Sequence, residues 1–180
     1  MSDSTEVPRD DAAENARMQK CVIVAIQPDQ PPHVLAAGIR YARLLGAPLL
    51  VVHVDVTRFV TYEDPDGLMH SAPIDLNIDT GAADFGEVTA AAEAALAGTG
   101  LTWSARQLVG DPALAIKHLA ETLAAELIVV GTRRRGFGES VREFFTGSVA
   151  ARLSHRQSRP ILVVPLQEPV PDDQKEIWTE

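Results

Sequence analysis

Gly131 and Thr132, followed by Arg133, Arg134 and Arg135, lead through Gly136 and Gly138 to Gly147, Ser148 and Val149. These residue types at this spacing have the chemistry of an anion site. A glycine at the carboxyl end of a strand lets backbone approach a ligand with no β-carbon in the way. Gly147-Ser148 at the start of a helix offers unpaired N–H groups, a hydroxyl and the positive end of a dipole. The charge distribution agrees. Between residues 131 and 160 seven Arg face two Glu, a balance of +5 within a chain of net charge −9, so the remainder carries −14. Such an acidic remainder argues against nucleic acid as a partner, because phosphate backbones select basic surfaces. The plain alternative for the arginines is a solvated loop and helix face.

Catalytic chemistry is thinly represented. Ser148 is not set in the Gly-x-Ser-x-Gly strand-turn elbow that exposes a nucleophile, so it reads as a helix-start residue or a phosphate ligand. His155 reads as a surface or capping residue, and His53, inside an apolar run, as a satisfied and partly buried histidine. The five His are scattered, with no His/Cys pair at metal-ligand spacing. Asp64, Asp66 and Gly67 read as a turn, because the later ligands of a cation loop are missing. Cys21 is the only cysteine and opens an apolar run, which makes it a buried structural thiol. Any enzymatic activity is therefore expected to be no more than slow hydrolysis of a bound nucleotide.

The elements that must position this loop follow from patterning. Residues 21–26 form a first apolar strand. Residues 33–45 carry Leu35, Ile39, Ala42 and Leu45 at helical spacing and stop at Gly46. Residues 48–56 are a second strand, apolar nearly throughout, as expected when helices cover both faces of a parallel sheet. Residues 57–81 are punctuated by Asp64-Pro65-Asp66-Gly67 and Ala72-Pro73, and read as a long loop that contains a short helical turn or covers a site. A helix over 82–97, a strand over 101–109 and a helix from the Gly110-Asp111-Pro112 turn to about residue 125 follow, with Asp111 as N-cap and Pro112 at the first helical position. Residues 127–130, 147–157 and 160–165 complete the pattern as strand, helix and strand.

Strands alternating with helices imply right-handed crossovers and a mostly parallel sheet with helices on both faces. Ligands of such sheets bind beyond the strand carboxyl ends, where the winding reverses. The loops after strands one and four meet there if those strands are neighbours, so residues 25–29 should face residues 131–148. The chain's 180 residues, 46% of them hydrophobic, suit one domain over residues 20–166 between acidic tails at 1–19 and 167–180 that lack apolar periodicity and read as disordered. Apolar runs such as 49–56 and 127–130 fall well short of the ~20 residues of a membrane helix. No basic start followed by an apolar core precedes the domain, so a cytoplasmic location without membrane partners is expected.

The segments Leu127-Ile128-Val129-Val130-Gly131-Thr132, Gly147-Ser148-Val149-Ala150 and Arg159-Pro160-Ile161-Leu162-Val163-Val164-Pro165 together resemble the universal stress protein family, and the resemblance covers residues 20–166. It implies an α/β fold of the adenine nucleotide alpha hydrolase-like kind, a five-stranded doubly wound sheet of order 3-2-1-4-5. It also implies frequent homodimers, here through the C-terminal edge strand, and ATP with Mg²⁺ as the cofactor of some members and none in others. Gly131, Gly147 and Ser148 match the family's phosphate-binding positions, and Val54, Val130 and Val149 match pocket positions. Ala25 and Gln27 stand at the end of the first strand, where binders usually carry an acidic residue, with Asp29 two residues on. The family pattern has a glycine three residues after Gly131, where this chain has Arg134, and twelve residues between its outer glycines, where this chain has fifteen. Arg133 and Arg134 would then contribute charge-assisted contacts to phosphate. The resemblance thus implies a stress-response protein that binds an adenine nucleotide as a sensor or switch, or a homodimeric interaction module of the same fold that binds none.

Overall fold

Runs of Val, Leu and Ile with no polar side to offer water require a sheet covered on both faces. The computed structural model, which describes residues 11–28, 30–63, 69–73, 81–132 and 149–166, contains that sheet. The elements are α1 (Asp11–Arg17), β1 (Val22–Ala25), α2 (His33–Leu45), β2 (Leu49–Asp55), β3 (Arg58–Glu63), β4 (Met69–Pro73), α3 (Gly81–Leu96), β5 (Trp103–Val109), α4 (Pro112–Thr122), β6 (Leu127–Gly131), α5 (Val149–Ser154) and β7 (Ile161–Val164). Five strands pair in the order β5-β2-β1-β6-β7, all parallel. Counted among themselves they run 3-2-1-4-5, the expected winding.

Alternation along the strands divides the core into two layers. Val22, Val24, Leu49, Val51, Leu127 and Val129 pack with α2 and α3 on one face. Ile23, Leu50, Val52, Ile128 and Val130 pack with α4 and α5 on the other. Every residue of β2 is buried, and each such Val or Leu contributes roughly 1.5–3 kcal/mol by leaving water. Helix α2 comes so close to the sheet that a β-carbon on Gly38 would lie 2.9 Å from Val24 Cβ. Its expected inward stripe holds for Leu35 and Ala42, whereas Leu45 is 53% exposed, because Gly46 turns left-handed at φ 61° and ends the helix before the stripe returns to the sheet.

Two readings of the chain are corrected. Residues 11–17, placed in a tail without order, form α1, and Met18 behind them is fully buried. The cause is long-range. Ser104 Oγ donates to Glu14 Oε1 at 2.5 Å, Arg106 donates to Asn15 Oδ1 at 2.9 Å, and Lys20 N donates to the Leu123 carbonyl at 2.8 Å. A seven-residue piece whose half-buried residues, Glu14 and Asn15, are polar shows no apolar periodicity to be read, and its partners lie some ninety residues away. The stretch 57–81 is not one long loop: within it β3 and β4 pair antiparallel, with a register irregularity between Val60 and Tyr62. Phe59, Val60, Thr61 and Tyr62 are β-branched or aromatic, and that preference outweighs the punctuation that follows them. Asp64, Asp66 and Gly67 lie outside the described residues, as do residues 1–10 and 167–180.

Helix α4 starts as expected. Asp111 accepts from Leu114 N at 3.0 Å, and Pro112 occupies the first turn. The helix ends at Thr122, short of residue 125, because Ala124 turns to φ 48° and Ala125 N bonds back to the Ala120 carbonyl. Asp111 has a second partner, Arg152 of α5, at 2.7 Å. Burial alone would raise the Asp111 carboxyl, but the hydrogen bonds from Arg152 and from the helix backbone outweigh it and hold the group below its ordinary 3.8. Glu14 behaves alike: burial opposes, while Ser104 and Arg106 prevail and lower it from 4.5.

Two outcomes follow. Gly38→Leu should force α2 off β1 and cost roughly 1–3 kcal/mol, read as a lower urea midpoint. Asp111→Ala should cost about 1 kcal/mol at pH 7, where the cap and ion pair are intact. Because the folded pKa is depressed, this contribution is complete above the unfolded value and disappears as pH falls through the folded one. The gap between variant and parent urea midpoints should therefore narrow below pH 4; a gap unchanged at pH 2 would refute the pair's role.

Candidate functional site

The site is built where β1 and β6 leave the sheet. Their parallel register pairs Ala25 with Val130, so the chain beyond each strand emerges beside the other. β1 is flanked on its far side by β2, with Ala25 opposite Val52. The winding reverses between β1 and β6, since α2 returns over one face and α4 and α5 over the other, and the crevice opens there.

The structure brings most of the described candidate residues together. Val54 and Val130 are buried in the layer beneath α4 and α5, with half-buried Ala25 and Val149 packed against it. Gln27 is exposed at the crevice rim. Gly131 closes β6 and pairs with Val164 of β7. Its lack of a side chain is a matter of space: a β-carbon there would collide with Gln30 Nε2 and come within 2.9 Å of Leu166 Cδ2. The room expected for a ligand above Gly131 is thus bordered by two side chains of the chain itself. Arg133, Arg134, Gly147 and Ser148, with Asp29, lie outside the described residues.

Four hydrogen bonds hold this rim, and none could be read from motif spacing. Gln27 N donates to Gln30 Oε1 at 2.8 Å, which closes the turn after β1. Thr132 N donates to the Val164 carbonyl and Leu166 N to Thr132 Oγ1, both at 2.9 Å, which binds the start of the Arg-rich segment to the end of β7. His33 Nε2 donates to the Pro165 carbonyl at 2.6 Å, which ties the first turn of α2 to the same strand end. On the opposite side of the crevice, Arg152 fixes α5, and with it Val149, to the first turn of α4 through Asp111. A side pocket of about 270 Å³ runs from the β1 turn toward α3, lined among others by Ile26, Gln27, Gln30, Leu35, Glu87 and Val88.

A polar pair lies buried at the end of β2 on the α3 side. His53 Nδ1 lies 3.4 Å from the Ile26 carbonyl, and its Nε2 has no partner, so the histidine is fully buried and only half satisfied, against expectation. Asp55 Oδ1 accepts from Thr57 N at 2.8 Å and from Thr57 Oγ1 at 2.6 Å. Its Oδ2 is unpartnered and stands where a β-carbon on Gly81 would be, against the first residue of α3, where the helix dipole favours a carboxylate. Gln107 Nε2 donates to the Gly81 carbonyl at 2.8 Å and holds that helix start over β5. Sequence reading missed this pair because its partners come from a distant helix start.

The remaining candidates for chemistry fall away from the crevice. Cys21 is fully buried, and burial pushes its thiol up to about 11. His155 is exposed just beyond α5. Among the described residues no group of three or more His, Cys, Asp or Glu could hold a metal ion, and no helix is long and apolar enough to cross a membrane.

Comparison with known proteins agrees with this architecture. The model of the "Universal stress protein family" matches residues 18–165. No curated protein matches the chain. Among solved structures, a universal stress protein from Archaeoglobus fulgidus is 23% identical, with a TM-score of 0.56, covering 80% of this chain and 97% of its own. The universal stress protein from the same organism in complex with dAMP is 21% identical, with a TM-score of 0.54 and coverage of 82% and 98%. A universal stress protein in complex with cAMP is also 21% identical, with a TM-score of 0.54 and coverage of 83% and 99%. These likenesses show the fold, and the family match spans nearly all of the described residues. The doubly wound sheet, the crevice between β1 and β6 and the family match lead to one conclusion: the chain belongs to the universal stress protein family.

Proposed function

We propose that the protein binds an adenine nucleotide in the crevice between the ends of β1 and β6 and works as a nucleotide-responsive sensor in a cytoplasmic stress response. The observation that carries this reading is the convergence of Ala25, Val54, Val130 and Val149 on one apolar layer, with Ala25 and Val130 paired at the ends of β1 and β6. Apolar side chains suit a purine ring, and Gly131 and the arginines that follow it suit its phosphates. Similar proteins of this fold have been solved with dAMP and cAMP, which supports an adenine nucleotide as the class. ATP is the proposed nucleotide. Its Mg²⁺ would be carried on the phosphates with its waters, since the described residues offer no carboxylate cluster for it. Gly147, Ser148, Arg133 and Arg134 are the proposed phosphate contacts, and Gln27 the polar contact at the rim.

A second reading, an interaction module that acts without nucleotide, is favoured by the filled space above Gly131 and by the edge position of β7. Val163 on that strand is 43% exposed, and an unpaired apolar edge invites a second strand. A homodimer through β7 is compatible with either reading.

Calorimetric titration with AMP and ATP separates them. The sensor reading expects saturable heat and a rise in melting temperature with ligand concentration. Gly147→Val combined with Ser148→Leu should lower affinity by tenfold or more, on the order of the loss of one or two charge-assisted hydrogen bonds. Absence of both heat and thermal shift at millimolar nucleotide would reject the sensor and leave the interaction module. Sedimentation of the parent and of Val163→Lys tests the edge: a dimer that persists in the variant would place the interface elsewhere.

A further inference from the structure

Helices α2 and α3 lie side by side on one face of the sheet, and two clefts between them share Pro32 and Ala95. The larger, about 550 Å³, extends along α2 past Ala36 and Arg40 to Leu44. The smaller, about 270 Å³, extends from the same residues to the β1 turn and Glu87. Together they form one groove. On α2 the residues Ala36, Arg40, Arg43 and Leu44 line it at helical spacing, and on α3 Glu87, Ala91 and Ala95 recur at every fourth residue. The opposite sides of the two helices, with Leu35, Ala42, Val88, Ala92 and Leu96, are buried on the sheet. The groove stripe is exposed, and Leu44 at its end is 68% so.

The two ends of this groove differ in sign. Arg40 and Arg43 stand with Leu44 at one end and Glu87 at the other, and neither Arg40 nor Glu87 is in an ion pair among the described residues. A ligand segment of one charge matches only one end, whereas the groove turned end for end matches itself. That is the condition for an isologous contact, in which residue i of one copy meets residue j of the other and j meets i. We propose that the groove between α2 and α3 is an interface between two copies of this chain. A two-fold axis near Ala36 and Ala95 brings Arg40 of each protomer to Glu87 of the other. The same rotation carries each exposed Leu44 to the smaller cleft of the other copy, where Ile26, Leu35 and Val88 offer apolar surface. Small alanines at the centre let the helices approach. The interface is separate from the β7 edge, which lies beyond β6 in the sheet, and it depends on no nucleotide.

The test is sedimentation of the full chain carrying Val163→Lys, so that the β7 edge is blocked, with Arg40→Glu or Glu87→Arg added. Each charge reversal sets like charges against each other twice and should raise the dimer dissociation constant by more than about tenfold. An equimolar mixture of the two reversed chains restores opposite charges at both contacts. It should associate within about threefold of the unreversed chain, as mixed dimers. Glu93→Arg, exposed on α3 away from the groove, makes the same change in net charge and should leave association unaltered. Urea midpoints close to the parent's confirm that these surface changes leave the fold intact. An unreversed chain that stays monomeric at every soluble concentration overturns the proposal. So do reversals without effect, a Glu93→Arg change as large as that of Glu87→Arg, or a mixture that associates no better than its components.

Discussion

A strand that is buried on both faces and has no edge can satisfy its backbone only through its two neighbours, and β1 is such a strand. Its four residues pair with β2 on one side and β6 on the other, and Val22, Ile23 and Val24 are fully buried. An unpaired N–H or carbonyl there would have no water to turn to, so the register between β1 and β6 is set by necessity. A shift of one residue would also exchange the two core layers, moving Ile23 to the α2 side and Val24 to the α4 side. The crevice inherits this constraint. Ala25 stands beside Val130 because every earlier pair along the two strands is already determined.

The rim is a different kind of structure, held by side chain and turn contacts rather than by ladders. Gln30 on Gln27, Thr132 on Val164, Leu166 on Thr132, His33 on Pro165 and Arg152 on Asp111 connect five separate parts of the chain around one opening. Each is a single bond of modest net strength, about 1 kcal/mol for a neutral pair. Together they set the shape of the opening on a scaffold whose own stability comes from the two core layers. The stability of the sheet and the shape of the opening are thereby carried by different residues.

The legibility of the chain follows the same division. β2 and α2 were readable because their apolar residues recur at a fixed period, and Asp111-Pro112 because a cap and a helix-start proline act within one turn. β3 and β4 were missed because the turn residues between them resemble those of an irregular loop, and a hairpin is decided by pairing across the gap. α1 was missed because it is short and held by Ser104 and Arg106. Among the candidate residues, Val54, Val130 and Val149 were singled out by motif resemblance and share one apolar layer, while Gln30, His33 and the pair His53 and Asp55 carry no spacing signal. Their roles depend on what stands opposite them.

By itself the sequence determined the alternation of elements, the parallel winding and the place of the crevice, since hydrophobic period, helix caps and the glycine after β6 act locally and the handedness of crossovers leaves few other arrangements. Only the tertiary structure decided what fills the space above Gly131, which end of the Gln30 amide faces it, and that Asp55 meets the start of α3 with one oxygen unpartnered. The physical reason is range. Local preferences act over a few residues along the chain, whereas the contacts that shape the opening join residues 27–33, 107–111, 131–132, 152 and 164–166, which become neighbours only after the sheet has formed.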